Sequence, residues 1–289
     1  MPPRFAVAGI VAFWLATTAF VAYRDVWPRL FASGPPPVII ELADEARQNV
    51  PAKWAMSRNG QKVGRLTTQM KYLDTEDTFT FTYRYTGLKF EQSGVTLEVP
   101  EATSEVRMTR AGDLKEQTMK LEVQLGATKD ARAVIDMRGT VTNGRLTGRV
   151  DIKSPILNLS GDLDQVEVKT GMPLNPLQPV NRLGNVRGGQ EWVVHESNPM
   201  QAAVGSLLRK KLAEFGLRLP EEKAKDVLVA RVDREPQTLS TKGGDVSCWV
   251  IEYRRDEPVA RTWVRVSDGK VMRQEAFEKG ESLVFERED

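Results

Sequence analysis

The side chains able to do covalent or acid–base chemistry are few and scattered. The chain has one cysteine, Cys248, and one histidine, His195. A single cysteine forms no internal disulfide and no thiolate zinc set, and a single histidine forms no multi-histidine metal site. Cys248 opens an apolar run, Cys-Trp-Val-Ile, with no activating signature around it, so it reads as a small core hydrophobe. A Cys248–His195 dyad would need the fold to bring two distant strands together. Three acids, Asp74, Glu76 and Asp77, stand close together. Their spacing lacks the carboxylates and glycine of a calcium loop, and turn chemistry accounts for them. No GxxxxGK[ST], GxGxxG or GxSxG pattern occurs, which leaves out the common phosphate-cradling loops and the nucleophile elbow. No catalytic residue, metal or cofactor is therefore expected. The remaining candidates are aromatic: Trp54, Phe79, Phe81, Tyr83 and Tyr85 would line a ligand cavity if a sheet left one open. The same stripe is what an ordinary sheet core needs, and core packing is the preferred reading.

The elements that would position these residues are strands. After the turn pair Asn59-Gly60, the series Gly64, Leu66, Thr68, Met70, Tyr72 alternates with polar residues. Beyond the Asp74–Asp77 stretch, Phe79, Phe81, Tyr83 and Tyr85 alternate with threonine and arginine in the same way. Period-two alternation of this kind marks strands with one buried and one wet face, as in antiparallel sheets. The pattern continues to a second Asn-Gly pair at 143–144, a favoured two-residue hairpin turn. Residues 38–170 thus read as one antiparallel β-sheet domain, a meander of roughly nine strands. Its long strands suggest a broad curved sheet or open barrel with one apolar face to be covered.

Residues 171–190 break the rhythm with Pro173, Pro176 and Pro179 and close on Gly188-Gly189. Proline removes ladder donors, so this segment is a connector or an apolar lip lying across a sheet, and the connector is the simpler reading. Residues 191–289 then read as a short strand at Trp192–His195, one helix and a β-meander, packed on the first sheet or separate from it. The helix is expected to start at Asn198-Pro199, to carry Val204, Leu207, Leu208, Leu212 and Phe215 on its apolar stripe, and to stop at Gly216.

Composition bounds the rest. With 40% hydrophobic and 28% charged residues the chain has ordinary globular balance. Its 41 Lys and Arg against 39 Asp and Glu are interspersed, without the basic stripe of a nucleic-acid binder. No nucleic-acid partner is expected. Residues 5–23, FAVAGIVAFWLATTAFVAY, carry no charge. As a helix they would span roughly 28 Å, close to the hydrocarbon thickness of a bilayer. Arg4 and Arg24 flank them and Tyr23 and Trp27 suit an aromatic belt. A cleaved signal peptide is the competing reading, but Phe20–Tyr23 extends the apolar run past the best cleavage pair, Thr17 and Ala19. Residues 1–37 are accordingly read as an uncleaved membrane anchor followed by a stiff spacer, Ser33-Gly34-Pro35-Pro36-Pro37. The short tail before the span and the large body after it are the layout of a signal-anchor, which puts the body outside the cytoplasm.

Two stretches carry a resemblance. Trp54–Gly64, WAMSRNGQKVG, and the segment TWVRVSDGKVMRQEAFEKGESLVFERE resemble the opening and closing hairpins of certain bacterial envelope β-rich domains of unknown function. Those domains in turn resemble the half-barrels of periplasmic lipoprotein carriers. The resemblance covers about a fifth of the chain and implies a curved sheet and an envelope location. It brings no catalytic residue, and the proline-rich stretch at 172–179 stands outside its pattern. The sequence therefore leads to an envelope module without enzymatic machinery, binding an apolar ligand or a protein partner. A structural or assembly subunit, and a hydrolase or transferase with an unrecognised site, are the alternatives.

Overall fold

The computed structural model describes residues 50–92, 95–110, 112–125, 132–155, 158–168, 179–195, 204–207, 209, 227–278 and 280–288, with Trp14, Thr17 and Thr18. The membrane helix expected over 5–23 lies outside the described residues apart from those three, which are helical. Among the described residues no helix is long and apolar enough to cross a membrane.

The architecture is mainly β, as the alternation requires. The first eight strands are β1 (Ala52–Arg58), β2 (Gln61–Leu73), β3 (Thr78–Gln92), β4 (Val95–Thr109), β5 (Leu114–Leu125), β6 (Arg132–Thr142), β7 (Arg145–Lys153) and β8 (Asn158–Glu167). After the 171–190 stretch come β9 (Glu191–His195), β10 (Val227–Val232), β11 (Gln237–Thr241), β12 (Gly244–Arg254), β13 (Pro258–Arg265), β14 (Val271–Glu278) and β15 (Glu281–Arg287). All belong to one open antiparallel sheet in the order β8-β7-β6-β5-β4-β3-β2-β1-β15-β14-β13-β12-β10-β9, with β11 pairing β12. The two meanders meet where β1 pairs β15, with Trp54 opposite Arg287 and Met56 opposite Phe285.

Tight turns make this succession possible. Asn59 and Gly60 have φ of 49° and 79°, and Asn143 and Gly144 have 52° and 73°. Both turns thus place two consecutive residues in the left-handed region, whose twist matches the flanking strands. Asp77, at φ 48°, ends the β2–β3 turn, and its carboxylate accepts from the Tyr72 hydroxyl. Arg110 donates to the same hydroxyl at 2.9 Å and pairs with Asp77 at 3.2 Å, so Asp77 is committed to holding the turn.

The register aligns the aromatic stripe in rows. Trp54 lies opposite Leu66, Leu66 opposite Tyr85, and Tyr85 opposite Ala102. The neighbouring rows join Thr68 to Tyr83 to Ser104 and Met70 to Phe81 to Val106. Trp54, Leu66, Met70, Phe79, Phe81 and Tyr83 are buried together, each large side chain contributing roughly 1.5–3 kcal/mol of transfer free energy. The opposite face is threonine-rich and laddered with ion pairs, among them Lys89–Glu98 at 2.6 Å and Arg132–Glu122 at 2.9 Å. Such exposed pairs each give about 1 kcal/mol or less and act mainly to fix register.

Over the inner face at β8 stands the helical segment 204–207, part of the expected helix, whose remaining residues except Arg209 lie outside the described ones. Leu207 is buried, and its Cδ1 lies 3.1 Å from where a side-chain carbon on Gly161 would stand.

One turn carries a pH signature. Asp268, between β13 and β14, accepts from Arg265 Nε at 2.7 Å and Nη2 at 2.5 Å, and from the Lys270 backbone N–H at 3.1 Å. The Arg265 hydrogen bonds are the main cause that pushes its carboxyl down to about 2, against partial burial, which acts the other way. A depressed carboxyl stabilises the fold above its unfolded value near 4 and loses that contribution as pH falls towards 2. Solvent screening reduces the contribution to about 1 kcal/mol. Asp268→Asn is expected to flatten the stability–pH curve between about pH 4 and pH 2. An unaltered slope in acid-titrated thermal melts would rule this out.

Candidate functional site

The inner face around Thr68 and Tyr83 holds a buried polar chain in a largely apolar surface. Trp54 Nε1 donates to Thr68 Oγ1 at 2.9 Å, and the Thr68 hydroxyl donates to Asn181 Oδ1. Thr68 and Asn181 are both buried, so each polar group needs a partner, and this chain supplies one in turn. Asn181 belongs to the 171–190 stretch. Its backbone carbonyl accepts from Arg287 Nη1 at 2.8 Å and from Val271 N–H at 3.1 Å. The next residues continue the stitching: Arg182 bridges Lys270, and Leu183 N–H donates to Gly269 O at 2.8 Å. Residues 179–186 are thus a strap across the sheet, with Pro179, Asn181, Leu183 and Val186 buried. Of the stretch 171–190, residues 171–178 lie outside the described residues.

The strap decides how much room the aromatic stripe has. Trp54 is fully buried, Phe79, Phe81 and Tyr83 are buried, and Tyr85 is partly buried against the same core. The space left between strap and sheet, lined by Thr68, Met70, Phe81, Tyr83, Pro179 and Val180, is about 10 Å³. That is room for about one water molecule. Burial raises the Tyr85 hydroxyl to about 12, and burial with the nearby Tyr85 raises that of Tyr83 further still. Both phenols therefore stay protonated across the physiological range and do not act as bases.

The other sequence candidates are dispersed. Cys248 lies on β12 opposite Arg265 of β13 and Gln237 of β11. His195 pairs Val227 on β10, and Val229 pairs Arg254 on β12. Val227, two residues beyond Val229, therefore aligns with position 256, eight residues along the strand from Cys248. The register thus sets the backbones of His195 and Cys248 towards opposite ends of β9, β10 and β12. The Cys248 thiol is fully buried, and burial pushes it up to about 11. In the native protein it is expected to resist alkylation at pH 8 and to react fully once denaturant opens the sheet. Stoichiometric labelling without denaturant would contradict this, and the single cysteine makes the readout unambiguous. Among the described residues no three His, Cys, Asp or Glu side chains gather into a possible metal site.

Thr68, Asn181 and Arg287 are the site residues that sequence reading does not single out. Thr68 falls in the alternating series of β2, but its hydrogen bonds reach a residue 113 positions away. The only local hint at Asn181 is an amide inside an otherwise apolar, proline-rich run.

No family model matches the chain, and no curated protein matches it. Among solved structures it is similar to a β-barrel-like protein of the domain of unknown function DUF1849 from Brucella abortus. The sequences are 12% identical, the match covers 82% of this chain and 94% of that one, and the TM-score is 0.36. No residue assignment crosses a likeness of that level.

Proposed function

We propose that this chain is a membrane-tethered, extracytoplasmic β-module that docks a protein partner and catalyses no reaction. The observation that carries this reading is the filled space between strap and sheet among the described residues. The aromatic stripe is packed under the strap, and the space beside Tyr83 takes about one water molecule. An apolar-ligand carrier would keep an open cavity of several hundred cubic ångströms at that position. The tether rests on the uncharged run 5–23 and its flanking arginines. The extracytoplasmic placement rests on the signal-anchor layout.

The test uses the full chain in its native membrane. Crosslinking followed by mild detergent extraction and mass spectrometry is expected to recover a reproducible second protein without stoichiometric lipid. A stoichiometric co-purifying lipid with no crosslinked protein would overturn the docking reading in favour of a ligand carrier. Protease added to intact cells is expected to cut the body, and full protection would overturn the extracytoplasmic placement.

A further inference from the structure

The sheet of described strands ends on one side at β9, and that edge carries an unusual surface. Val193 is 55% exposed, Val227 48% and Val229 39%. Val193 and Val229 are directly opposite each other in the β9–β10 register, and Val227 is paired with His195. The three valines thus form one apolar patch on the wet face of the end strand β9 and its neighbour β10. Soluble proteins usually blunt such an edge with lysine, proline or a bulge, because its unpaired backbone groups template pairing with another chain. β9, Glu-Trp-Val-Val-His, holds no lysine or proline and pairs β10 without a register shift, and its one acid, Glu191, is paired to Arg231 at the rim.

We propose that β9 is a self-pairing edge, at which two copies of this chain join antiparallel about a two-fold axis passing through Val193. The register is self-complementary. Val193 meets Val193 of the second copy, flanked on each side by Val229, so four valines form one continuous row. Trp192 falls opposite Val194 of the other copy, and Glu191 falls opposite His195. No carboxylate meets a carboxylate, and Arg231, 3.5 Å from Glu191, keeps that acid paired at the rim. A residue contacting its own symmetry mate is the mark of an isologous interface, and the closed pair leaves no β9 edge to propagate.

The other described end of the sheet is a poorer occupant. The exposed row of β8, Asn158, Ser160, Asp162, Gln165 and Glu167, is polar and acidic. Seating it against β9 would cover the valine patch with side chains that need water, and head-to-tail pairing would continue into open fibres. The two-fold pairing is independent of whether another protein docks elsewhere on the body, so loss of one leaves the other standing.

The test is site-specific crosslinking of the full chain in membranes. Directly opposed residues of an antiparallel pair have Cβ atoms on the order of 5 Å apart, near enough for a disulfide after small adjustment. Val193→Cys is expected to give a disulfide-linked dimer on mild oxidation. The wild-type chain, whose one cysteine is fully buried, and Val266→Cys, 44% exposed beyond β13, are expected to stay unlinked. Val193→Lys, placed at an exposed position so that folding is retained, is expected to lower the dimer fraction in detergent-corrected light scattering at least tenfold. A monomeric wild-type chain, equal linking of Val193→Cys and Val266→Cys, or a well-folded Val193→Lys dimer would each overturn the proposal.

Discussion

Replacing Trp54 by alanine is expected to cost the body about 4 kcal/mol, the range of a fully buried aromatic removed from a core. Several effects combine at this position. Trp54 is wholly inaccessible, so its removal leaves a cavity walled by β-sheet backbone that relaxes little. Its indole N–H is the donor that Thr68 accepts at 2.9 Å, and Thr68 is the contact through which Asn181 anchors the strap. The Arg287 guanidinium stands 5.7 Å from the ring centroid, and the same side chain donates to the Asn181 carbonyl. One substitution therefore removes core volume and loosens the strap from both sides. The expected drop in melting temperature is roughly 10 °C. Trp54→Phe keeps most of the volume but not the donor, and its loss is expected to be about half as large. If Trp54→Ala melted within 2 or so degrees of the parent, the ring would not be the keystone described here.

The second large effect is expected at Gly148. It pairs Gly139 across β6 and β7, and a side-chain carbon there would stand 2.2 Å from the Arg138 carbonyl oxygen and 2.8 Å from Gly139 Cα. These neighbours are backbone, so no rotamer change relieves the clash and the strands must part. Gly148→Val is expected to cost about 2 kcal/mol, within the range of overpacked sites. Hydrogen exchange should show the damage locally, with amides of β6, β7 and β8 losing protection before those of β12 to β14. Gly161→Ala is the matched control. Its new carbon would meet only the flexible Leu207 side chain, at 3.1 Å, and stability is expected to change by less than about 1 kcal/mol. Equal effects at both positions would refute the backbone argument.

What could be read in the sequence follows from how local each cause is. The β2 and β3 strands were legible because Leu66, Thr68 and Met70, like Phe79, Phe81 and Tyr83, alternate with polar residues, and period two is a property of a few neighbours. The turns at Asn59-Gly60 and Asn143-Gly144 were legible because few residue pairs adopt two successive left-handed conformations. β10 was hidden by its own composition: of its three outward positions two are Val227 and Val229, so only Arg231 gives the wet face a polar signature. β11, Gln-Thr-Leu-Ser-Thr, is short and polar and resembles a loop. The anchoring of the strap was out of reach for a different reason. Nothing near Asn181 announces hydrogen bonds to Thr68 and Arg287, 113 and 106 positions away. The same distance effect concealed the space beside Tyr83, since an aromatic row specifies a greasy surface without saying what will lie on it.

The pairing of β1 with β15 has a consequence for the order in which the chain is made. Arg58 and Glu281, which form an ion pair across that seam, are 223 positions apart. Until β15 has been made, the row of backbone groups from Ala52 to Arg58 has β2 on one side and lacks its β15 partner on the other. The nascent body therefore travels as an incomplete sheet with an adhesive margin, and contacts closed over such long loops form slowly. A product stopping short of Glu281 would keep that margin for good.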